Sequence, residues 1–262
     1  VAPYRAVDSL DSLKQAVTEL GLPIVLKTVT GGYDGKGQFV LRSEDQIDTA
    51  WAELGPAKSL IAESFVKFSR EVSIIAVRGQ DGDVKTWALA ENHHHNGILS
   101  HSIVPAPNST DLQPVAQDYI TRLLNHLNYV GVLTLELFVT EQGLYANEMA
   151  CRVHNSGHWS IEGAICSQFE NHIRAVAGLP LGSTDVVRPT VMINIIGQHP
   201  KSEDVLALKG AHLHLYNKSE RAGRKLGHIT LMPNNSDELT VLCRQLAQIL
   251  PVPLALTTDM NL

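Results

Sequence analysis

Long apolar runs are absent: no stretch approaches the ~20 residues that crossing a bilayer requires. Val1 to Ala6 has neither the basic start nor the apolar stretch of a secretory signal. A soluble, cytoplasmic, non-membrane protein is the expectation. Positive charge is also in short supply, with 21 Lys and Arg against 27 Asp and Glu and a formal net charge of −6. A nucleic-acid binder, which holds phosphates through clustered cations, is not expected on that balance. Cysteine is scarce, and Cys151, Cys166 and Cys243 form no CxxC pair. An odd number of unpaired cysteines fits buried thiols in a reducing compartment better than a disulfide framework. Repeats, low-complexity linkers, the P-loop pattern GxxxxGK[ST] and the zinc pattern HExxH are all missing.

What is present can bury a real core: 262 residues with 44% hydrophobic content suit one large or two small domains. The chain opens on Val1, and a helix is expected within ten residues with no strand or glycine-rich nucleotide loop before it. A missing front portion is therefore expected. Leu10, Leu13, Val17 and Leu20 repeat at helical spacing up to Gly21, and a short strand, Pro23 to Lys27, leads into a glycine-rich loop and a second strand, Gln38 to Leu41. Ser43 is expected to cap a helix to Leu54, followed by a strand from Ser59 to Glu63. A hairpin over Glu71 to Leu89 follows, and the polar run Asn92 to Gly97 is expected to interrupt the sheet. Helices over Leu112 to Leu127 and Ile161 to Ala177 flank the strands Val130 to Val139 and Leu144 to Met149. The tail adds strands near Thr190 to Ile196, Ala211 to Tyr216 and Leu226 to Leu231, then an amphipathic helix from Ser236 to Leu250. The class is α+β.

Four groups of residues carry chemistry. Gly31 to Gly37 holds four glycines, which let backbone N–H groups approach an anion, and Lys27 precedes it on the incoming strand. A structural hairpin and a phosphate clamp both fit that pattern. Glu136 and Glu148 become directly opposed if the hairpin turns about Gln142. Such a like-charge pair is unfavourable unless a cation neutralises it, and with Asn147 it offers hard oxygens suited to Mg²⁺; two solvated glutamates are the alternative. Arg152, His154, Asn155, Ser156 and His158 form a dense polar string that suits an anionic substrate or an ordinary surface loop. Lys218, Arg221, Arg224 and Lys225 cluster in an acidic chain, as a phosphate site or as a solvated turn. The triple histidine at 93 to 95 is ambiguous.

Taken in order, Gly31–Gln38 (GGYDGKGQ), Glu71–Ser73 (EVS), Glu91–Leu99 (ENHHHNGIL), Leu135–Val139 (LELFV), Asn147–Trp159 (NEMACRVHNSGHW) and Ala222–His228 (AGRKLGH) resemble the 5-(carboxyamino)imidazole ribonucleotide synthase family. The resemblance implies an ATP-grasp fold of two α+β subdomains with the nucleotide between them, plus a small β-rich C-terminal segment. The divisions expected are residues 1–75 for the lid subdomain, 76–185 for the large subdomain with the metal site, and 186–262 for the final segment. It implies carboxylation of aminoimidazole ribonucleotide by bicarbonate through carboxyphosphate, with ATP and Mg²⁺ or Mn²⁺ as cofactors and a homodimer as the assembly. By position it assigns Lys27, Gly32, Tyr33, Asp34, Gly35, Lys36, Gly37 and Gln38 to the ATP phosphate grip. Glu63 and Val66 fall at the nucleotide edge, Glu71 at the ribose, His94 and Asn147 in the nucleotide site, and Glu136 and Glu148 at the metal. Tyr33, Asp34, Arg152, His154, Asn155 and Ser156 fall at the carboxylating centre, where Asp34 orients or deprotonates the amine. Lys218, Arg224 and Lys225 fall on the ribonucleotide-phosphate side. Family members carry a further front domain of about 100 residues, so this chain is expected to bind nucleotide weakly and turn over poorly. Another ATP-grasp carboxylate-amine ligase and a non-catalytic nucleotide-binding module are the rival readings.

Overall fold

A computed structural model of the chain describes residues 1–32, 36–56 and 59–251. The first unit is built from β1 (Tyr4–Val7), α1 (Leu10–Leu20), β2 (Ile24–Thr28), β3 (Gln38–Leu41), α2 (Ile47–Leu54) and β4 (Leu60–Ser64). Its strands form an antiparallel sheet in the order β1-β4-β2-β3. Ser9 starts α1 with a capping box, its hydroxyl accepting from the Ser12 N–H while the Ser12 hydroxyl accepts from the Ser9 N–H. Alternation along β2 sends Ile24 and Leu26 into the core shared with Leu13, Val17 and Ala50 of the helices. Val25 and Lys27 are left on the opposite face.

The second unit comprises β5 (Arg70–Arg78), β6 (Val84–Thr86), β7 (Ala90–His95), β8 (Ile98–Val104), α3 (Leu112–Leu127), β9 (Gly131–Thr140), β10 (Gly143–Ala150), α4 (Ser160–Gly163), α5 (Gln168–Val176), β11 (Thr190–Ile196), α6 (Ser202–Leu206), β12 (Ala211–Leu215), β13 (Lys225–Leu231) and α7 (Ser236–Ile249). The strands make one nine-stranded sheet in the order β10-β9-β5-β7-β8-β11-β13-β12, with β6 alongside β5. Val72 and Ile74 of β5 and Leu133, Leu135 and Leu137 of β9 pack on Ile120 and Leu124 of α3. On the other face Ile75, Val77 and Val132 meet Trp159 and Ala175, while further along the α3 face Val191, Ile193 and Ile229 pack with Leu239 and Leu246 of α7. Each such side chain contributes roughly 1.5–3 kcal/mol by burial. The first sheet ends at Ser64 and the second begins at Arg70, so the division expected at residue 75 falls inside β5. Strands β11 and β13 carry the same sheet past the division expected at 186.

Several sequence expectations are corrected by the fold. A strand, β1, precedes α1; it is an edge strand with an exposed sequence, and its pairing to β4 is invisible locally. Ser43 makes no side-chain cap and leads into a 3-10 turn, Glu44–Gln46, before α2. The histidine run does not interrupt the sheet. It forms β7, because Asn92 is satisfied by Ser73 and Ser102, His93 stacks on His101, and Asn96 and Gly97, at φ 51 and 75, supply the tight turn into β8. The helix expected over Ile161 to Ala177 is two helices. Ala164 is extended and bridges Val186, and Ser167 caps α5 by accepting from the Glu170 N–H, an S-x-x-E start that apolar periodicity obscured. Of the three free thiols Cys166 and Cys243 are buried, whereas Cys151 is exposed.

Gly157, just before α4, is a packing requirement. A Cβ there would lie 2.7 Å from Gln168 Oε1 and would also press on Ile75. Gly157→Ala is expected to cost about 1–3 kcal/mol of stability through overpacking, read as a shifted urea midpoint at unchanged slope. An unchanged midpoint contradicts this packing account.

Candidate functional site

The inner faces of the two sheets enclose a cleft of about 440 Å³. Alternation brings Val25, Lys27, Val40 and Glu63 to it from the small sheet, and Glu71, Asn92, His94, Glu136 and Phe138 from the large one. Gly32, Lys36, Gly37 and Gln38 line its rim. Tyr33, Asp34 and Gly35 lie outside the described residues.

The carboxylate pair is opposed, but by a different route from the one expected. Near the turn Gly143 pairs with Thr140 and Ala146 with Leu137; a bulge at Asn147 then shifts the register so that Glu148 faces Glu136. The bulge matters because two consecutive side chains, Asn147 and Glu148, both reach the cleft, which a regular strand forbids. Burial pushes the Glu148 carboxyl above the usual range, and the Glu136 charge adds to it. Burial also pushes Glu136 upward, but the hydrogen bond from His154 and the neighbouring histidines outweigh it, and the net direction is down. One site thus holds two carboxylates driven apart by each other. Among the described residues no group of three or more His, Cys, Asp or Glu side chains is placed to hold a metal. Any ion here would take these two carboxylates and find its other ligands elsewhere.

Lys27 links the sheets: its Nζ lies 2.6 Å from Glu63 Oε2 and 2.9 Å from Asn147 Oδ1. His94 Nδ1 lies 3.3 Å from Glu71 Oε1. Burial alone would lower the His94 pKa, but the Glu71 hydrogen bond and the charges of Glu71 and Glu136 raise it. His154 Nε2 lies 2.9 Å from Glu136 Oε1, and Arg152 and Asn155 stand beside it on the cleft wall. Gln168, fully buried, accepts from the His154 N–H at 2.9 Å and donates to its carbonyl at 2.7 Å, which pins that segment.

The remaining candidates divide. Val66 and Lys225 line the cleft. Ser156 is buried behind the wall and reaches the cleft only through His154, its Oγ 2.8 Å from Nδ1. Lys218 and Arg224 are outside the lining: Lys218 sits 5.2 Å from the Tyr216 ring centroid, and Arg224 donates to the Ser219 carbonyl and hydroxyl. Arg224 ends the loop before β13 and is held on Ser219, whereas Lys225, the first residue of β13, reaches the cleft.

The sequence reading missed the apolar end of the cleft, where Phe68 and Phe138 stack at 4.4 Å and 11° beside Val25, Val40 and Val66. Phe138 could have been found, since it lies two residues from Glu136 on one strand. Phe68 carries no local signal. Also missed was Asn92, two residues before His94 on a strand not expected there. A flat apolar slot, a cation beside it, and opposed carboxylates next to an Arg–His wall can hold a nucleotide at one end and activate an anion at the other.

Two family models match the chain. The ATP-grasp domain family matches residues 1–169, and the phosphoribosylaminoimidazole carboxylase C-terminal domain family matches residues 190–241. The N5-carboxyaminoimidazole ribonucleotide synthase of Vibrio vulnificus is 48% identical over 255 residues, 95% of this chain and 67% of that protein. Its Bacillus subtilis counterpart is 50% identical over 242 residues, 91% of this chain and 63% of that protein. The chain therefore spans about two thirds of the length of these relatives. The crystal structure of the Thermus thermophilus synthetase superposes with a TM-score of 0.88 at 46% identity, covering 96% of this chain and 68% of that one. The Aspergillus clavatus enzyme in complex with ADP and 5-aminoimidazole ribonucleotide superposes with a TM-score of 0.85 at 30% identity, covering 95% and 69%.

Proposed function

The chain belongs to the N5-carboxyaminoimidazole ribonucleotide synthase family of ATP-grasp ligases, which carry out an ATP-dependent carboxylation in purine biosynthesis, and from that premise we propose how its own residues do this chemistry. A bicarbonate oxygen attacks the γ-phosphorus of ATP, giving carboxyphosphate and ADP. The exocyclic amine of 5-aminoimidazole ribonucleotide then attacks the carboxyl carbon, the C–O bond to phosphate breaks, and the amine proton leaves with phosphate or a nearby base. The observation that carries this reading is the meeting of Lys27, the Glu136–Glu148 pair and the Arg152–His154 wall in one cleft between two sheets.

The adenine lies in the slot of Phe68, Phe138 and Val66, with Glu63 at its polar edge and Glu71 and His94 toward the ribose. Lys27, Gly32, Lys36, Gly37 and Gln38 grip the phosphates and keep water from carboxyphosphate. Glu136 and Glu148, with Asn147 beside them, are hard oxygen donors that fit Mg²⁺ or Mn²⁺. When bound, the ion screens the triphosphate charge and aligns the transferred phosphoryl group. Arg152 neutralises the carboxylating anion while His154 orients Glu136 through its Nε2 contact, and Asn155 and Lys225 hold the ribonucleotide, with Lys218 and Arg224 supplying further positive charge at its phosphate side. Phe68→Ala is expected to weaken ADP binding about 3- to 10-fold through the lost aromatic contact, read by equilibrium dialysis. Unchanged binding removes Phe68 from the slot.

The test of the reaction is ADP release with each substrate omitted in turn. Release that requires both bicarbonate and aminoimidazole ribonucleotide supports it. Stimulation by an amino acid instead points to another carboxylate-amine ligase, and binding without release points to a nucleotide sensor. The assembly is a homodimer in the cytoplasm, supported by exposed apolar side chains along α5 and its flanks, Ile165, Ile173, Val176 and Leu179, and by three free thiols. Sedimentation at micromolar concentration is expected to give about twice 28.6 kDa; a single-chain mass contradicts the dimer.

A further inference from the structure

Beneath the cleft wall a chain of buried polar groups crosses three strands. Ser102 Oγ lies 2.8 Å from Asn92 Oδ1, Asn92 Nδ2 lies 2.9 Å from Ser73 Oγ, Ser73 Oγ lies 2.8 Å from Ser156 Oγ, and Ser156 Oγ lies 2.8 Å from His154 Nδ1. Ser73, Ser102 and Ser156 are fully buried, and Asn92 is 5% exposed. Their direction is set at the His154 end by groups that cannot change role. The Ser156 backbone N–H, 3.3 Å from His154 Nδ1, can only donate, so Nδ1 accepts. The Glu136 carboxylate, 2.9 Å from Nε2, accepts, so Nε2 carries the proton. The hydroxyls then fall into one order. Ser156 O–H donates to His154 Nδ1, Ser73 O–H to Ser156, Asn92 N–H to Ser73, and Ser102 O–H to Asn92.

We propose that Ser73, Asn92 and Ser102 are positioning residues that hold His154 as the Nε2–H tautomer, with that proton directed at Glu136. The inference rests on the functional reading above for its kinetic consequence, but its structural content stands apart from it. With the opposite tautomer a ring lone pair would face the Glu136 carboxylate and Nδ1–H would face the Ser156 N–H, two repulsive contacts inside a buried site. A hydroxyl or amide remote from His154 thereby reinforces the tautomer that Glu136 and the Ser156 N–H favour. Sequence alone hides the network, because its members are dispersed over Ser73, Asn92, Ser102 and Ser156.

The test is a long-range ¹H–¹⁵N spectrum of the ¹⁵N-histidine-labelled whole chain, with the His154 signals assigned by their loss in His154→Asn. The wild type is expected to show Nε2–H and an unprotonated Nδ1. Asn92→Asp, of the same shape but acceptor-only, is expected to turn the hydroxyls round and place a proton on Nδ1. Ser73→Ala breaks the relay without adding a charge, and it is expected to mix the tautomers and lower kcat about 10-fold while the KM for ATP stays within about twofold. A wild-type Nδ1–H signal overturns the inference without any variant, and so does a Ser73→Ala protein with wild-type spectrum and kcat. The spectrum is read without substrates, so a wild-type protein that fails to carboxylate overturns the functional reading alone.

Discussion

Glu136→Gln is expected to lower ATP turnover in the presence of bicarbonate and aminoimidazole ribonucleotide by about 10²–10³-fold, the cost of removing one preorganised electrostatic group from a closed site. The substitution keeps shape and volume and removes one negative charge from the site where Glu148 faces Glu136 across the Asn147 bulge. In the ligand-free protein the same change relieves like-charge repulsion, so the melting temperature is expected to stay level or rise. Opposite signs for activity and stability separate a functional carboxylate from a structural one. Raised divalent ion concentration is expected to recover part of the lost turnover, because a site with one fewer carboxylate binds the ion less tightly. Equal losses of activity and stability would assign Glu136 to the fold instead.

The second large effect concerns Lys27. Lys27→Met is expected to cost about 10²-fold in ATP turnover by removing a cation of the phosphate end. It also leaves the part-buried Glu63 without the ammonium that now lies 2.6 Å away. An unpaired carboxylate of that kind costs roughly 1–3 kcal/mol, read as a lower urea midpoint. The two consequences can be pulled apart. Lys27→Met combined with Glu63→Met removes both charges together, and it is expected to regain most of the stability and none of the turnover. Recovery of turnover in the double variant would show that Lys27 serves only to neutralise Glu63.

How much of this was legible in the residues follows from how local each signal was. Helix α3 was readable to its ends because apolar spacing alone defines it. The Glu136–Glu148 opposition was readable as a pair, but the reason was not: the turn predicted about Gln142 gives one register throughout, whereas the strand changes register at Asn147. A bulge leaves no mark on composition or periodicity. Strand β7 was missed because three histidines read as a polar interruption; they are tolerated only because His93 stacks on His101 and Asn92 is satisfied by Ser73 and Ser102, partners set by tertiary pairing. The basic cluster shows the same limit. Four cations within eight residues suggest one patch, yet Lys225 opens β13 and reaches the cleft while Arg224, in the loop before it, turns toward Ser219. Residues contributed from separate elements, such as Phe68 of the β4–β5 connection beside Phe138 of β9, became neighbours only in the fold.

The measurement that bears most directly on the carboxyphosphate reaction is oxygen transfer from ¹⁸O-labelled bicarbonate during a single round of turnover with ATP and aminoimidazole ribonucleotide. Attack of a bicarbonate oxygen on the γ-phosphorus, followed by cleavage of the carboxyl C–O bond, leaves that oxygen on phosphate. The account predicts one ¹⁸O in the phosphate released for each carboxyl group transferred. Unlabelled phosphate, formed with ADP at the same rate, would contradict it.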